Sequence, residues 1–174
     1  MKNIVLTGFM ATGKTQIGTA LSALLDIPFI DTDAVVVETF QKSINEIFAS
    51  EGEEGFREKE ARAVRKAAQL NGAVIATGGG VPLRKENMDC LRENGIIIYL
   101  SPSFETILAR LEQASAERPL LKNQDVEEIR ARFEARKPYY QNCDYTIPVS
   151  NKKTPEEHAR EIAQIYQTEC TKKA

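Results

Sequence analysis

Two periods organise the apolar positions of this chain. Five short runs rich in aliphatic and β-branched residues, at 4–7, 28–30, 73–76, 96–100 and 145–149, are separated by longer segments in which apolar residues return every three or four positions. Ile17, Leu21, Leu24 and Leu25 fall at i, i+4, i+7 and i+8, predicting a helix over 14–25. Phe104, Ile107, Leu108 and Leu111 repeat the pattern, and so do Val126, Ile129 and Phe133 in a helix predicted over 126–136. Each spacing draws one apolar stripe down a helix. Several of the short runs are apolar throughout, as strands covered on both faces are. Strand–helix alternation of this kind predicts right-handed βαβ crossovers and a doubly wound α/β sheet.

The punctuation agrees. Thr154-Pro155-Glu156-Glu157 reads as a capping box with proline at the first helical position, so a last helix starts there. Residues 113–124, "QASAERPLLKNQ", form the least regular stretch, a loop candidate of the length that lids and binding loops have. No repeat and no linker is visible, and 174 residues suit one domain spanning 1–174.

Composition narrows the function classes. A net charge of −2 argues against broad affinity for nucleic acid or an anionic membrane, so anion recognition must come from a few placed cations. Cys90, Cys143 and Cys170 are scattered and odd in number, which suits a reduced, cytoplasmic protein. No apolar stretch approaches the roughly 20 residues of a membrane span. The lone histidine, His158, is expected on the polar side of the last helix, without a chemical role.

Chemistry begins at Gly8-Phe9-Met10-Ala11-Thr12-Gly13-Lys14-Thr15, which fits G-x-x-x-x-G-K-[ST] between a strand and an amphipathic helix. Glycines let backbone N–H groups turn inward onto phosphate oxygens, and the helix adds its positive end. Lys14 can reach the β- and γ-phosphates and the Thr15 hydroxyl can bind Mg²⁺. A GTPase base-reading motif is missing: Asn151-Lys152-Lys153-Thr154 lacks the aspartate. A small-molecule or nucleotide kinase is the leading class.

Acceptor-side candidates follow the P-loop helix. Asp31 and Asp33 end the second strand two residues apart, facing the crevice at its carboxyl end. One carboxylate near Mg²⁺ and one near an acceptor hydroxyl is a phosphoryl-transfer layout; a helix N-cap at Thr32 or Asp33 is the other reading. Arg57, in "GEEGFREKE", opens a helical stretch where the dipole disfavours a cation, so it is either a solvated residue or one held for an anionic ligand. Gly78, Gly79 and Gly80 follow the third strand, as a flexible turn or as a site wall that backbone can approach closely. Arg118 sits in the loop candidate, where an arginine can fold over a transferring phosphate. Arg136 ends a predicted helix, where a cation is favourable in any case.

Taken in order, the P-loop 8–15, "DTD" 31–33, "GEEGFRE" 52–58, "TGGG" 77–80, "RPLL" 118–121 and "RKPYY" 136–140 resemble shikimate kinase, the small P-loop kinase of aromatic amino-acid biosynthesis. The resemblance covers nearly the whole chain. It implies a five-stranded parallel sheet with helices on both faces, of the P-loop, nucleoside-monophosphate-kinase-like kind, with a substrate subdomain and a lid at about 113–124. It implies ATP and Mg²⁺, with transfer of the γ-phosphate to the 3-hydroxyl of shikimate by a monomer. Asp33 would bind that hydroxyl as base or orienting group; Arg57 and Arg136 would pair with the shikimate carboxylate; Gly78, Gly79 and Gly80 would line the pocket. Asp31 and Thr15 would hold Mg²⁺, and Lys14 and Arg118 would neutralise phosphate charge. Ala11, Thr12, Gly13 and Gln16 would border the nucleotide, with Arg110, Lys153 and Pro155 around adenine. Ala11, Thr12 and Lys153 depart from the common family residues. Competing readings are a gluconate or nucleoside-monophosphate kinase on the same scaffold, and an inactive P-loop binding module.

Overall fold

The computed structural model describes residues 1–117 and 125–171. Its strands are β1 (Asn3–Thr7), β2 (Phe29–Asp31), β3 (Val74–Ala76), β4 (Gly95–Pro102) and β5 (Tyr145–Val149). Between and after them run helices α1 (Lys14–Leu25), α2 (Thr32–Phe40), α3 (Ile44–Ala68), α4 (Lys85–Glu93), α5 (Phe104–Glu117), α6 (Val126–Tyr140) and α7 (Pro155–Thr171). All strand pairs are parallel, in the order β2-β3-β1-β4-β5. The chain first moves outward from β1 on one side, then returns past it to β4. The resulting switch point lies at the carboxyl end of β1, where such sheets bind ligands.

Strand periodicity decides the two layers. Ile4 and Leu6 of β1 face a cluster with Ile17, Leu21, Ile162 and Tyr166, under α1 and α7. Val5, between them, faces Val64, Ile75, Met88 and Ile97, under α3 and α4. Burying the central strand on both sides explains why its sequence is apolar rather than alternating. The edge strand β5 does alternate, and its Pro148 is tolerated where one side carries no ladder. A third cluster, around Phe9, Tyr99, Phe104, Phe133 and Tyr140, joins the P-loop to α5 and α6. A fourth, around Val36, Ile47 and Phe56, packs α2 onto α3.

Five expectations need correction. Asp31, not Thr32 or Asp33, caps α2, because its Oδ1 accepts from the N–H groups of Asp33 and Ala34. Arg57 does not open a helix; it lies inside α3, beyond a kink at Gly52, whose φ of 69° leaves the helical region. Residues 113–117 of the lid candidate belong to α5, and 118–124 lie outside the described residues. Helix α6 continues past Arg136 to Tyr140 with Pro138 inside it. Finally, His158 is buried, on the same stripe of α7 as Ala159, Ile162, Ala163 and Tyr166. The capping box before α7 is present as expected: Thr154 N–H donates to Glu157 Oε2 and Glu157 N–H to Thr154 Oγ1.

Candidate functional site

Three strand ends meet at one cleft of ≈ 690 Å³, lined by the P-loop, Asp31, Asp33, Gly78, Gly79 and, on the far rim, Arg110 and Lys153. On the P-loop wall, Gly8, Ala11 and Gly13 all have positive φ. Gly8 is obligatory, since a Cβ there would lie 2.8 Å from the Leu100 carbonyl. Ala11 adopts the left-handed conformation at φ 57°, which ordinarily costs an L-residue about 1 kcal/mol. Neighbouring bonds hold it there. Arg110 Nη1 donates to the carbonyls of Ala11 (3.0 Å) and Thr12 (2.7 Å), and the buried Thr12 hydroxyl donates to Phe9 O at 2.6 Å. The two atypical loop residues are thus braced from within the chain. Asn151 Oδ1 accepts from Arg110 Nε at 2.8 Å and fixes the guanidinium plane. Sequence reading missed Asn151, whose partner lies 41 residues away.

Lys14 stands at the loop mouth, donating to the carbonyls of Gly8 (2.7 Å) and Phe9 (2.9 Å). Burial pulls its pKa down to about 8, against the opposing pull of Asp33 and Asp31. An anionic phosphate beside it reverses that balance. Thr15 Oγ1 lies 3.1 Å from Asp31 Oδ2, and two hard oxygen donors at the mouth of a phosphate loop suit Mg²⁺. Among the described residues no cluster of three or more His, Cys, Asp or Glu could hold a metal ion, so Thr15 and Asp31 would share such an ion with ligands from outside the protein. Gln16 lines the same wall, and Lys153 is tied to Glu161 on α7.

The opposite wall carries a tight charge cluster. Asp33 Oδ1 is buried and has no hydrogen-bond partner among the described residues. A Cβ on Gly78 would sit 2.6 Å from that oxygen and 3.0 Å from Glu60 Oε1, so glycine is what admits both carboxylates. Burial, then the charges of Asp31 and Glu60, push the Asp33 pKa up to about 6, with Lys14 and Arg57 opposing. A carboxylate poised this close to neutrality is suited to accept a proton.

Arg57 is not solvated. Its Nη1 bonds Glu60 Oε2 at 2.8 Å, with Glu53 at 3.5 Å from Nη2, and its guanidinium presses against Gly80. Glu60 is 1% exposed, and burial raises its pKa despite Arg57. Sequence reading missed this residue too: its i,i+3 spacing from Arg57 was legible, its burial was not. Arg136 reaches in from α6, its Nη1 3.5 Å from the position of a Gly79 Cβ. The structure therefore gathers Lys14, Thr15, Asp31, Asp33, Arg57, Gly78, Gly79, Gly80, Arg110, Arg136 and Lys153 around one cleft. Arg118 lies outside the described residues. Such a site offers a phosphate cradle on one side and, on the other, a buried carboxylate with the guanidinium groups of Arg57 and Arg136 at the adjoining Gly79–Gly80 wall.

Known proteins resemble this chain. The shikimate kinase family model matches residues 10–167. The chain is 49% identical over 167 residues to a shikimate kinase of Caldanaerobacter subterraneus subsp. tengcongensis, covering 95% of this chain and 96% of the relative. It is 46% identical to that of Caldicellulosiruptor bescii with the same coverage. Among solved structures, the shikimate kinase from Acinetobacter baumannii in complex with shikimate superposes with a TM-score of 0.86 at 33% identity, covering 97% of this chain and 94% of that one. This chain belongs to the shikimate kinase family.

Proposed function

We propose that this chain transfers the γ-phosphate of ATP to the 3-hydroxyl of shikimate, yielding shikimate 3-phosphate and ADP. The observation that carries this reading is the buried, unpartnered Asp33 oxygen, set between the Lys14 side and the Arg57–Glu60–Gly78 side of one cleft. Arg57 and Arg136 suit a planar carboxylate on the acceptor, which a guanidinium fork binds with directional hydrogen bonds. Holding the acceptor by its carboxylate delivers a ring hydroxyl to Asp33. As that oxygen attacks the γ-phosphorus, the bond to the β-bridging oxygen breaks and the hydroxyl proton passes to Asp33. Lys14 and the loop N–H groups meet the charge that develops on the phosphates. Arg118 is assigned to the same task by its motif. Thr15 and Asp31 would hold Mg²⁺, which supplies further phosphate neutralisation when bound.

A monomeric cytoplasmic enzyme of one domain, without nucleic-acid or membrane partners, fits the same reading. No helix among the described residues is long and apolar enough to cross a membrane. The test is ADP release from Mg-ATP with shikimate, gluconate and nucleoside monophosphates in parallel. Turnover with shikimate alone is the expected result; turnover with another acceptor and silence with shikimate would overturn it.

A further inference from the structure

Helix α6 carries Arg136 into the acceptor side and then does something unusual for a segment containing Pro138: it continues one more turn. Proline removes a backbone donor and crowds the preceding turn, so an extension through it needs a compensating contact. Tyr140 supplies one. It is 1% exposed, its ring stacks on Tyr99 of β4 with centroids 5.4 Å apart, and its hydroxyl donates to Gly79 O at 2.8 Å. Arg136, one helical turn earlier, comes to the same glycine: its Nη1 and the Tyr140 Oη lie 3.5 and 3.7 Å from the position of a Gly79 Cβ.

We infer that Tyr140 is a positioning residue of the acceptor site, its hydroxyl holding the Gly79 carbonyl in place beside the Arg136 guanidinium. The inference rests on the shikimate reading of that site. A trans peptide is planar, so fixing the Gly79 carbonyl towards α6 also fixes the Gly80 N–H on the opposite side of the same unit. Glycine has the widest conformational freedom of any residue, so the 78–80 loop depends on such an external tie. Gly78 N–H is tied to Thr32 Oγ1 and the Gly80 carbonyl to Leu83 N–H, and the Tyr140 hydroxyl ties the middle carbonyl of the loop, next to Arg136. The Tyr140 ring shares a cluster with Phe9 of the P-loop, but its hydroxyl bonds Gly79, so deleting the hydroxyl and keeping the ring should fall mainly on the acceptor side.

Tyr140→Phe keeps the ring and deletes the hydroxyl, leaving the Gly79 carbonyl without its partner. The expected result is a KM for shikimate raised about tenfold, with the KM for ATP changed less than about twofold. Shikimate methyl ester supplies the readout that a general structural defect would not move. Wild type discriminates strongly against the ester; the variant, with the Gly79 wall beside Arg136 loosened, discriminates less. Equal KM changes for both substrates, or unchanged discrimination against the ester, would overturn the inference. As a measurement independent of the variant's folding, 3-fluorotyrosine placed at position 140 should shift its ¹⁹F resonance on shikimate binding but not on ADP binding. No shift with shikimate would contradict the inference. Wild-type turnover of shikimate in the same assays keeps the two readings separable: its absence refutes the substrate, whereas its presence with an unaffected variant refutes Tyr140.

Discussion

Replacing Asp33 by asparagine should make this protein more stable and nearly inactive. The carboxyl is held at about 6 in the folded chain against an ordinary 3.8. That gap of about 2 units, at about 1.4 kcal/mol each, is worth roughly 3 kcal/mol of folding free energy lost above pH 6. Water still reaches part of the side chain, so about 1–2 kcal/mol is the expected release when the charge is removed. An amide at this position has the same shape and can donate towards the Glu60 carboxylate, which faces the same side of Gly78. For a chain of this size the gain corresponds to a melting temperature higher by roughly 3–6 °C. The sign has a pH signature. An acid whose folded pKa is raised destabilises fully above that pKa, and the penalty is relieved as pH falls from about 6 towards 3.8. Thermal or urea unfolding of wild type and Asp33→Asn should therefore differ most at pH 8 and by about half as much at pH 5. Turnover should fall by about 10²–10⁴-fold, the usual range for a lost general base. A variant less stable than wild type at pH 8, or a stability gap independent of pH, would refute the strained carboxylate. Retained turnover would refute its role in proton transfer.

Further outcomes follow from the same geometry. Arg57→Ala strands the buried Glu60 charge and should destabilise the fold by about 3 kcal/mol, while raising the KM for shikimate and sparing that for ATP; isothermal titration with each substrate checks the split. Gly80→Ala would put a Cβ 2.0 Å from Arg57 Nη1, so the guanidinium must move and shikimate affinity should drop with the P-loop intact. In pH profiles, kcat/KM for shikimate should decline below about 6 as Asp33 takes up a proton. By contrast, kcat/KM for ATP should decline above about 8 as free Lys14 loses one. The alkaline limb should move to higher pH in kcat at saturating ATP, because bound phosphates favour the ammonium. A profile without an acidic limb near 6 would contradict the Asp33 assignment.

What the sequence disclosed is what local patterning controls. The P-loop, Asp31, Asp33 and the triglycine all lie at strand ends, so an apolar run followed by particular residues locates them without knowledge of the fold. The strands themselves were legible for the same reason, since β1 and β3 are buried on both faces and read as unbroken apolar runs. Pairing across the sequence was not legible. Glu60 looks like one more charge on a helix until α3 packs it beside Gly78, and Asn151 has no meaning until it meets Arg110. His158 shows the same limit: only the docking of α7 on α1 decides that its stripe is buried. The apolar spacing predicted a helix over 126–136, but α6 runs through Pro138 to Tyr140, whose ring stacks on Tyr99 of β4.

The most direct measurement is a ³¹P NMR time course of the purified protein with Mg-ATP and shikimate. The γ-phosphate resonance should be replaced by equimolar ADP and a phosphomonoester whose coupling places it on the 3-hydroxyl. ADP formed with inorganic phosphate alone, or a phosphomonoester at another hydroxyl, would contradict the proposed reaction.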